Sequence, residues 1–498
     1  MASKINRVIV AFIITGILLS VINLFNFRSL WHDEACLALN IIDKNMTELL
    51  SPLEHDQVAP IGFLLTEKIF TFVLGESDWS LRVFPLFGFL LSIYLIYSLT
   101  AKILDDKTFG LFASAFFATS LLSLQYSTEV KQYMFDVTFT LAILLSTIIY
   151  NGSSSPKQSW LYASVGALAI WYSNISIILL FTSGLYSIYK TYYSEDQKYL
   201  PLAYILGLWS FVFGLYYLMF IHDHPTRGHM VSYWQDAFLP NDILSFDFWQ
   251  SLKVKFFTYF GLLRNKIYAF ILLPLFIFGT IFLFKKKRPY LFLLLFPLFL
   301  HLILAYLQLY PFHTRLILYL LPTLILIIIC GFYSLGTLFK INKTLVFYTI
   351  PCCLVTNLSI VKIHGFPTEN EELKTSMAYI DSEFSKGDKI YVYYGAYYAF
   401  NFYRHIFDSN EDIDDSKIVY TNSNRDDWHH YNELISEMND SVWILFSHTY
   451  WELNEEGLNE EEYILNAYRN YGYQIIDEQK HTGSSVYYAV KTIPTPDI

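Results

Sequence analysis

The chain has 498 residues, of which 54% are hydrophobic and only 16% charged, whereas soluble globular proteins carry about a quarter charged residues. That shortfall excludes an ordinary soluble protein along the whole length, and no nucleic-acid partner is expected. The charge is also unevenly spread. Residues 365–498 hold 25 of the 44 acidic and 9 of the 34 basic residues, near −16, which leaves residues 1–364 near +6. A basic, apolar front part and an acidic tail are two different physical objects.

The front part carries repeated apolar runs of the length needed to span a bilayer, about 20 residues. About eleven spans are predicted, near 8–26, 80–101, 108–125, 133–150, 160–172, 174–190, 201–220, 267–284, 290–309, 316–338 and 344–361. The fifth is short enough to be a hairpin half or a re-entrant piece. The first is too long for a cleavable signal peptide, and the chain re-enters the membrane repeatedly.

Lysine and arginine in short loops set the orientation. With Lys4 and Arg7 inside, the inner loops are 102–107, 151–159, 190–198, 285–288 and 340–343, which hold the dense basic clusters. The outer loops then hold Asp33, Glu34, Asp43, Glu48, Glu54, Asp56, Glu76 and Asp78. The expectation is a multi-pass protein of the inner or plasma membrane, with a cytoplasmic N-terminus and an extracytoplasmic tail.

Two outer loops are long, 27–79 and 221–266. Both carry aromatics, among them Trp31, Tyr233, Trp234, Phe246, Phe248 and Trp249, as segments lying along a membrane interface do. The tail, 365–498, alternates strand candidates at 389–394, 417–420, 442–446, 473–476 and 486–490 with helix candidates at 371–384, 397–406, 427–437 and 460–471. This is a soluble α/β pattern. It has no GxGxxG and no GxxxxGK[ST], so no nucleotide site is indicated. Cys36 stands alone in the first outer loop, Cys330, Cys352 and Cys353 sit in spans, and the tail has no cysteine, so it is not stapled by disulfides. No CxxC or His/Cys zinc spacing is present. His222, His224 and His229 read as a polar loop rather than a metal site, and a divalent metal is left without support. A sequon such as Asn45-Met-Thr is too common to weigh.

The most informative segment is Ser29-Leu-Trp-His-Asp-Glu-Ala-Cys36. It puts Asp33 and Glu34 just outside the first span. Mutual repulsion and reduced dielectric both raise a carboxylate pKa towards that of a useful base; a solvated acidic loop fits the same residues. In Gln125-Tyr-Ser-Thr-Glu-Val-Lys-Gln-Tyr133, Glu129 and Lys131 press against the junction of two spans. Charges there are usually paired or functional, although a snorkelling Lys131 would also suit. Arg82 opens the second span from outside and Arg315 the tenth. An arginine at that depth suits a lipid phosphate, which it grips with paired donors, or a headgroup. Three cations at one outer depth, beside Asp33, Glu34 and Glu129, form a constellation that separate anchoring roles do not explain together.

The ordered motifs resemble the type C glycosyltransferases of the bacterial family related to protein O-mannosyltransferases and lipid A aminoarabinose transferase. These motifs are Asp33-Glu34, His55-Asp-Gln-Val-Ala-Pro60-Ile-Gly62, Leu74-Gly-Glu-Ser-Asp-Trp-Ser-Leu-Arg82, Glu129-Val-Lys-Gln-Tyr133, and Arg315 with Tyr319 and Pro322. They cover roughly residues 8–340. The histidine–proline element is spread out here, and Lys131 stands where many relatives have arginine. The resemblance implies a polytopic helical membrane fold and an inverting transfer of a sugar from a polyprenyl-monophosphate donor to an acceptor hydroxyl on a lipid, glycan or protein outside the membrane. It implies Asp33 as general base, Glu34 beside it, and Arg82, Lys131 and Arg315 on the donor phosphate, with Glu129, Tyr133 and His55 in support. No cofactor is implied. A glycolipid transporter or flippase would use the same cations, but would show Gly/Pro-broken spans in two related halves, which are not seen. A non-catalytic glycolipid binder would not need Asp33, Glu34, Glu129 and Lys131 intact. A ligase or polymerase would keep its key residues in a large late loop.

The orientation is directly testable. A periplasm-active reporter fused after residue 370 is expected to be active. Activity only of a cytoplasmic reporter at that point would reverse the topology and put Asp33 on the wrong face.

Overall fold

In the computed structural model, the described residues are all except 1, 27, 154, 194–198, 226, 338–340, 342, 368–369, 422–427, 451, 454–456 and 493–498. Part of the expected inner loop at 190–198, part of that at 340–343, and the start of the helix expected at 427–437 lie outside them, as does the side chain of His229. The chain divides into two compact units. One comprises residues 1–25 and 44–367, and the other residues 26–43 and 368–498.

The first unit is a helical bundle. Each of the eleven predicted spans coincides with helix, and eight helices are long and apolar enough to cross a membrane. The protein is a multi-pass membrane protein. Burial sorts the helices. The segment Leu318–Thr337 is 89% buried and Tyr133–Tyr150 78%, so they form the centre. Peripheral helices such as Tyr199–Phe220 and Lys266–Lys286 keep large apolar side chains outside, among them Phe211, Leu218, Ile267 and Phe270. Apolar groups facing outward are what a lipid environment asks for.

The span predicted at 108–125 is broken. It forms one helix over Lys107–Ala118 and a second over Leu121–Tyr126. The break frees the Phe116 carbonyl, which accepts a hydrogen bond from Asn357 Nδ2 at 3.2 Å, while Thr119 Oγ1 turns back to the Ala115 carbonyl. A backbone group released inside a membrane protein must find such a partner. The loop 27–79 adds a helix that the sequence reading does not contain, Ile61–Leu74, with Ile61, Gly62, Phe63, Leu64, Glu67 and Thr71 buried.

The second unit is a five-stranded mixed sheet with helices. Its strands are β1 (Lys389–Val392), β2 (Ile418–Tyr420), β3 (Val442–Ser447), β4 (Tyr473–His481) and β5 (Ser484–Lys491), in the order β2-β1-β3-β5-β4. All five predicted strands are present. β1 runs parallel to β2 and β3 because helical crossovers join them. β4 and β5 form a hairpin, antiparallel to each other and to β3, whose turn places Gly483 at φ +64°. The helices Leu373–Glu383, Tyr397–Phe402, His430–Ser436 and Glu460–Asn470 fall within the four predicted helical stretches. Glu460, at the start of the last of these, is buried and accepts from the Tyr393, Tyr394 and Tyr431 hydroxyls. That network ties the helix to the loop after β1.

In the first unit, two glycines permit the closest helix contact. A Cβ at Gly279 would lie 1.9 Å from the Ile327 carbonyl oxygen, and one at Gly331 2.0 Å from that of Leu275. Backbones approach this closely only across small residues. Gly279→Val and Gly331→Val are each expected to lower stability by at least about 1–3 kcal/mol. A thermal scan of purified variants that matched the wild type would show that the two helices can part without loss.

Candidate active site

In the first unit the cations are placed by local structure. Gly75 ends the helix Ile61–Leu74 at φ +90°. Two residues on, Ser77 begins the helix Asp78–Leu104 through a reciprocal cap with Ser80: the Ser80 amide donates to Ser77 Oγ (3.3 Å) and the Ser77 amide to Ser80 Oγ (3.2 Å). Ser80 Oγ also donates to the Gly75 carbonyl at 2.6 Å. The segment 74–82 is therefore a fastened joint between two helices. It places Arg82 about one turn in, 1% exposed.

Glu129 and Lys131 sit in the tight turn between the helices Leu121–Tyr126 and Tyr133–Tyr150, where the Lys131 amide donates to the Glu129 carbonyl at 2.7 Å. Both side chains are buried. Lys131 Nζ donates to Gln57 Oε1 at 2.6 Å. The turn is pinned to the first helix by Asn23 Nδ2 to Thr128 Oγ1 (2.6 Å) and Ser127 Oγ to Ser20 Oγ (3.1 Å). Gln57, in the segment 55–62, thus meets Lys131. His55 is half-buried, takes a left-handed φ of +61°, and offers its carbonyl to Gln57 Nε2 at 3.1 Å.

Arg315 lies in the loop before the central segment, its guanidinium 4.9 Å from the Trp234 ring centroid, a cation–π distance. Trp234 comes from the loop 221–266. That loop is stitched to this one by Phe312 N to the Ala237 carbonyl (2.9 Å) and Leu239 N to the Ala305 carbonyl (3.2 Å). Buried Lys255 donates to the Asp236 carbonyl at 2.8 Å. His301 brackets the loop, with Nε2 donating to the Pro311 carbonyl (3.1 Å) and Nδ1 accepting from the Tyr319 hydroxyl (3.0 Å). Partial burial, reinforced by Arg315 and Lys255, holds His313 below the ordinary histidine range.

Tyr126 ends the helix that precedes the turn carrying Glu129 and Lys131. Burial raises its hydroxyl pKa well above the usual value. Glu129 and Tyr133 add to the rise, and Arg315 and Arg264 oppose it. The Tyr126 and Tyr133 rings meet edge to face at 5.4 Å.

Several participants escaped the sequence reading. Gln57, Trp234 and Arg264 have no signature of their own. Asp136, buried and accepting from Ser173 Oγ at 2.6 Å, did carry one, an acid at the start of a span. Glu67 lies within the helix Ile61–Leu74, which the sequence reading does not contain. It is fully buried, both its carboxylate oxygens lack a hydrogen-bond partner among the described residues, and burial pushes its pKa well above the carboxylate range. The loop histidine His222 pairs with Asp223 at 2.7 Å. Among the described residues no group of three histidine, cysteine or acidic side chains could hold a metal.

In the second unit the acidic pair starts the helix His32–Asp43. The two carboxylates part company. Asp33 is half-buried. Glu34 is fully buried, faces Arg28 Nη2 at 3.8 Å, and accepts from the Trp31 amide at 3.4 Å. The pairing of Glu34 with Arg28 was not legible, because Arg28 lay among ordinary interfacial residues.

No protein-family model and no curated relative matches the sequence. Solved structures do match by shape. ArnT from Cupriavidus metallidurans bound to undecaprenyl phosphate aligns with a TM-score of 0.55 and 11% identity over 96% of this chain and 97% of that one. The same enzyme in the apo state gives 0.53. The Archaeoglobus fulgidus oligosaccharyltransferase gives 0.52 at 12% identity, over 79% of this chain and 61% of that one. The chain has the type C glycosyltransferase fold.

The Arg28–Glu34 pair generates a stability prediction. Arg28→Ala removes a charged neighbour of a fully buried carboxylate, which is expected to cost about 3 kcal/mol. Adding Glu34→Gln removes the charge and is expected to recover most of the loss. Equal melting temperatures for Arg28→Ala and the wild type would show that the pair is incidental.

Proposed function

We propose that this protein transfers a sugar from a polyprenyl-monophosphate donor to an acceptor hydroxyl outside the membrane, with inversion at the anomeric carbon. The observation that carries this reading is the burial of Arg82 and Lys131, with Arg315 held on Trp234, in a fold shared with a protein solved with undecaprenyl phosphate. Cations held in an apolar bundle suit an anionic lipid phosphate.

In this reaction Asp33 takes the proton from the acceptor hydroxyl. The acceptor oxygen attacks the anomeric carbon as the bond from that carbon to the phosphate oxygen breaks. Arg82, Lys131 and Arg315 stabilise the charge that develops on the departing polyprenyl phosphate, where preorganised donors contribute most to rate. Asp33 suits the base because it is half-buried and begins a helix, while Glu34 is committed to Arg28. Glu34 thereby becomes a strut for its neighbour. Glu129 and Tyr133 order Lys131 and Arg315, and His55 acts at most through Gln57. The protein works in the inner or plasma membrane, with its C-terminal domain outside.

Two sets of variants test this. Asp33→Asn keeps shape and hydrogen bonding but takes no proton. It is expected to bind undecaprenyl phosphate normally and to lose about 10²–10⁴ in transfer rate, with Glu34→Gln milder. Arg82→Ala, Lys131→Ala and Arg315→Ala should each weaken undecaprenyl phosphate binding about a hundredfold, and Arg82→Lys should recover only part. Transfer is followed with labelled polyprenyl-phosphate sugars extracted from the protein's own membranes. Full transfer by Asp33→Asn would move the base elsewhere, and unchanged lipid binding by all three alanine variants would remove the phosphate grip.

A further inference from the structure

In an open α/β sheet, ligands sit outside the carboxyl ends of the strands, where the strand order reverses. Here that point lies between β1 and β3: the chain leaves β1 for β2 on one side, and leaves β3 for β5 and β4 on the other. Gly395 follows β1 and His448 follows β3 at this crevice. The backbones are pressed together there. A Cβ on Gly395 would lie 2.7 Å from the Ser447 carbonyl oxygen and 2.9 Å from that of His448. His448 itself takes a left-handed φ of +54°, a conformation that a non-glycine residue holds only when its surroundings demand it.

The crevice is filled by the protein's own residues 28–43. His32 Nδ1 donates to the Gly395 carbonyl at 3.1 Å, and its ring stacks on that of His448 at 4.3 Å with planes 16° apart. Tyr398 closes the other side edge-on at 5.1 Å. Glu371, almost fully buried, joins both partners. Its Oε1 accepts from His448 Nδ1 at 2.7 Å, and its Oε2 accepts from the backbone amide of His32 at 3.0 Å. That amide is the first of the helix His32–Asp43, an end with unsatisfied donors that favours a negative charge. Two further bonds fix the approach: the Leu30 amide to the Tyr403 hydroxyl (2.8 Å) and the Lys374 amide to Ser29 Oγ (3.0 Å). The helix then buries Ala35, Cys36, Leu37, Ala38 and Ile41.

We propose that the C-terminal domain is a clasp. Its ligand crevice holds the segment that carries Asp33, and Glu371 and His448 are positioning residues for that carboxylate. The positioning role rests on the reading of Asp33 as base given above; the clasp itself does not. A general base needs a fixed distance to the hydroxyl it serves. The residue before Asp33 is held here through its backbone amide, its ring nitrogen and its ring face, all from residues more than three hundred positions away in sequence.

Cys36 gives a readout independent of activity, since it lies on the held helix and is 1% exposed. Cys352 is the exposed cysteine, so full-length protein carrying Cys352→Ser is the background, labelled with a maleimide. Glu371→Ala and His448→Ala are expected to speed labelling of Cys36 and lower the transfer rate, each by about tenfold, the effect of one lost charge-assisted hydrogen bond. Undecaprenyl phosphate binding should be unchanged. Glu371→Gln keeps an acceptor for the His32 amide and should restore part of both. Tyr403→Phe, which removes one hydroxyl, serves the same comparison if an alanine variant fails to fold. Protected Cys36 in the Glu371, His448 and Tyr403 variants would overturn the clasp. Exposed Cys36 with undiminished transfer would overturn the positioning role, and undiminished transfer by Asp33→Asn would separately overturn the assignment of Asp33. Loss of transfer in Asp33→Asn with Cys36 still protected would support the base independently of the clasp.

Discussion

A charge taken out of water must be held by something, and that constraint organises both units of this protein. Burying an isolated ion is far more costly than any single packing contact. Several buried charges are accordingly found with a partner of a definite kind, while Glu67, whose carboxylate oxygens have no hydrogen-bond partner among the described residues, is pushed by burial towards its neutral form. Lys131 reaches Gln57, Glu34 faces Arg28, Glu371 serves His448 and the His32 amide, and Glu460 gathers three tyrosine hydroxyls. Because the partners come from distant stretches, these few contacts tie the loops to the scaffold. The apolar helices supply bulk stability, but they do not by themselves dictate where an outer loop goes.

The loops of the membrane unit follow the same logic. The segment 74–82 is a capped joint, the turn at 127–132 is pinned to the first helix, and the loop at 311–316 is bracketed by His301 and stitched to residues 237–239. Rigid mounting of this kind suits groups that must meet a phosphate without reorganising. It also explains the aromatic richness of the outer loop 221–266. Interfacial anchoring accounts for many of these rings, yet Trp234 lies under Arg315 and so belongs with the cations.

Much of this was legible in the chain. Each of the eleven apolar runs of spanning length fell on helix, since the period and length of a hydrophobic segment are local properties. Alternation of short apolar strands with helical stretches located the five strands and four helices of the tail for the same reason. What local pattern missed was punctuation. The break at Thr119 and Ser120 depends on Asn357, 241 positions from Phe116 in sequence, and the helix Ile61–Leu74 is too short to announce itself as a span. Among site residues, Asp33, Glu34, Arg82, Glu129, Lys131 and Arg315 stood out because a charge beside an apolar run is conspicuous. Gln57 and Trp234 did not, because a neutral polar or aromatic residue in a loop has many ordinary uses.

The sequence by itself determined that this is a membrane bundle with an acidic α/β tail, and which charges lie at the bundle's edge. Those facts follow from composition and period, which any short window contains. Only the tertiary structure decided the partners: that Glu34 faces Arg28 while Asp33 is not buried with it, that the Tyr126 and Tyr133 rings meet edge to face, and that residues 26–43 belong with the C-terminal domain. A hydrogen bond between residues 32 and 371 is worth nothing until both chains of packing that bring them together have formed. No window along the sequence contains that information.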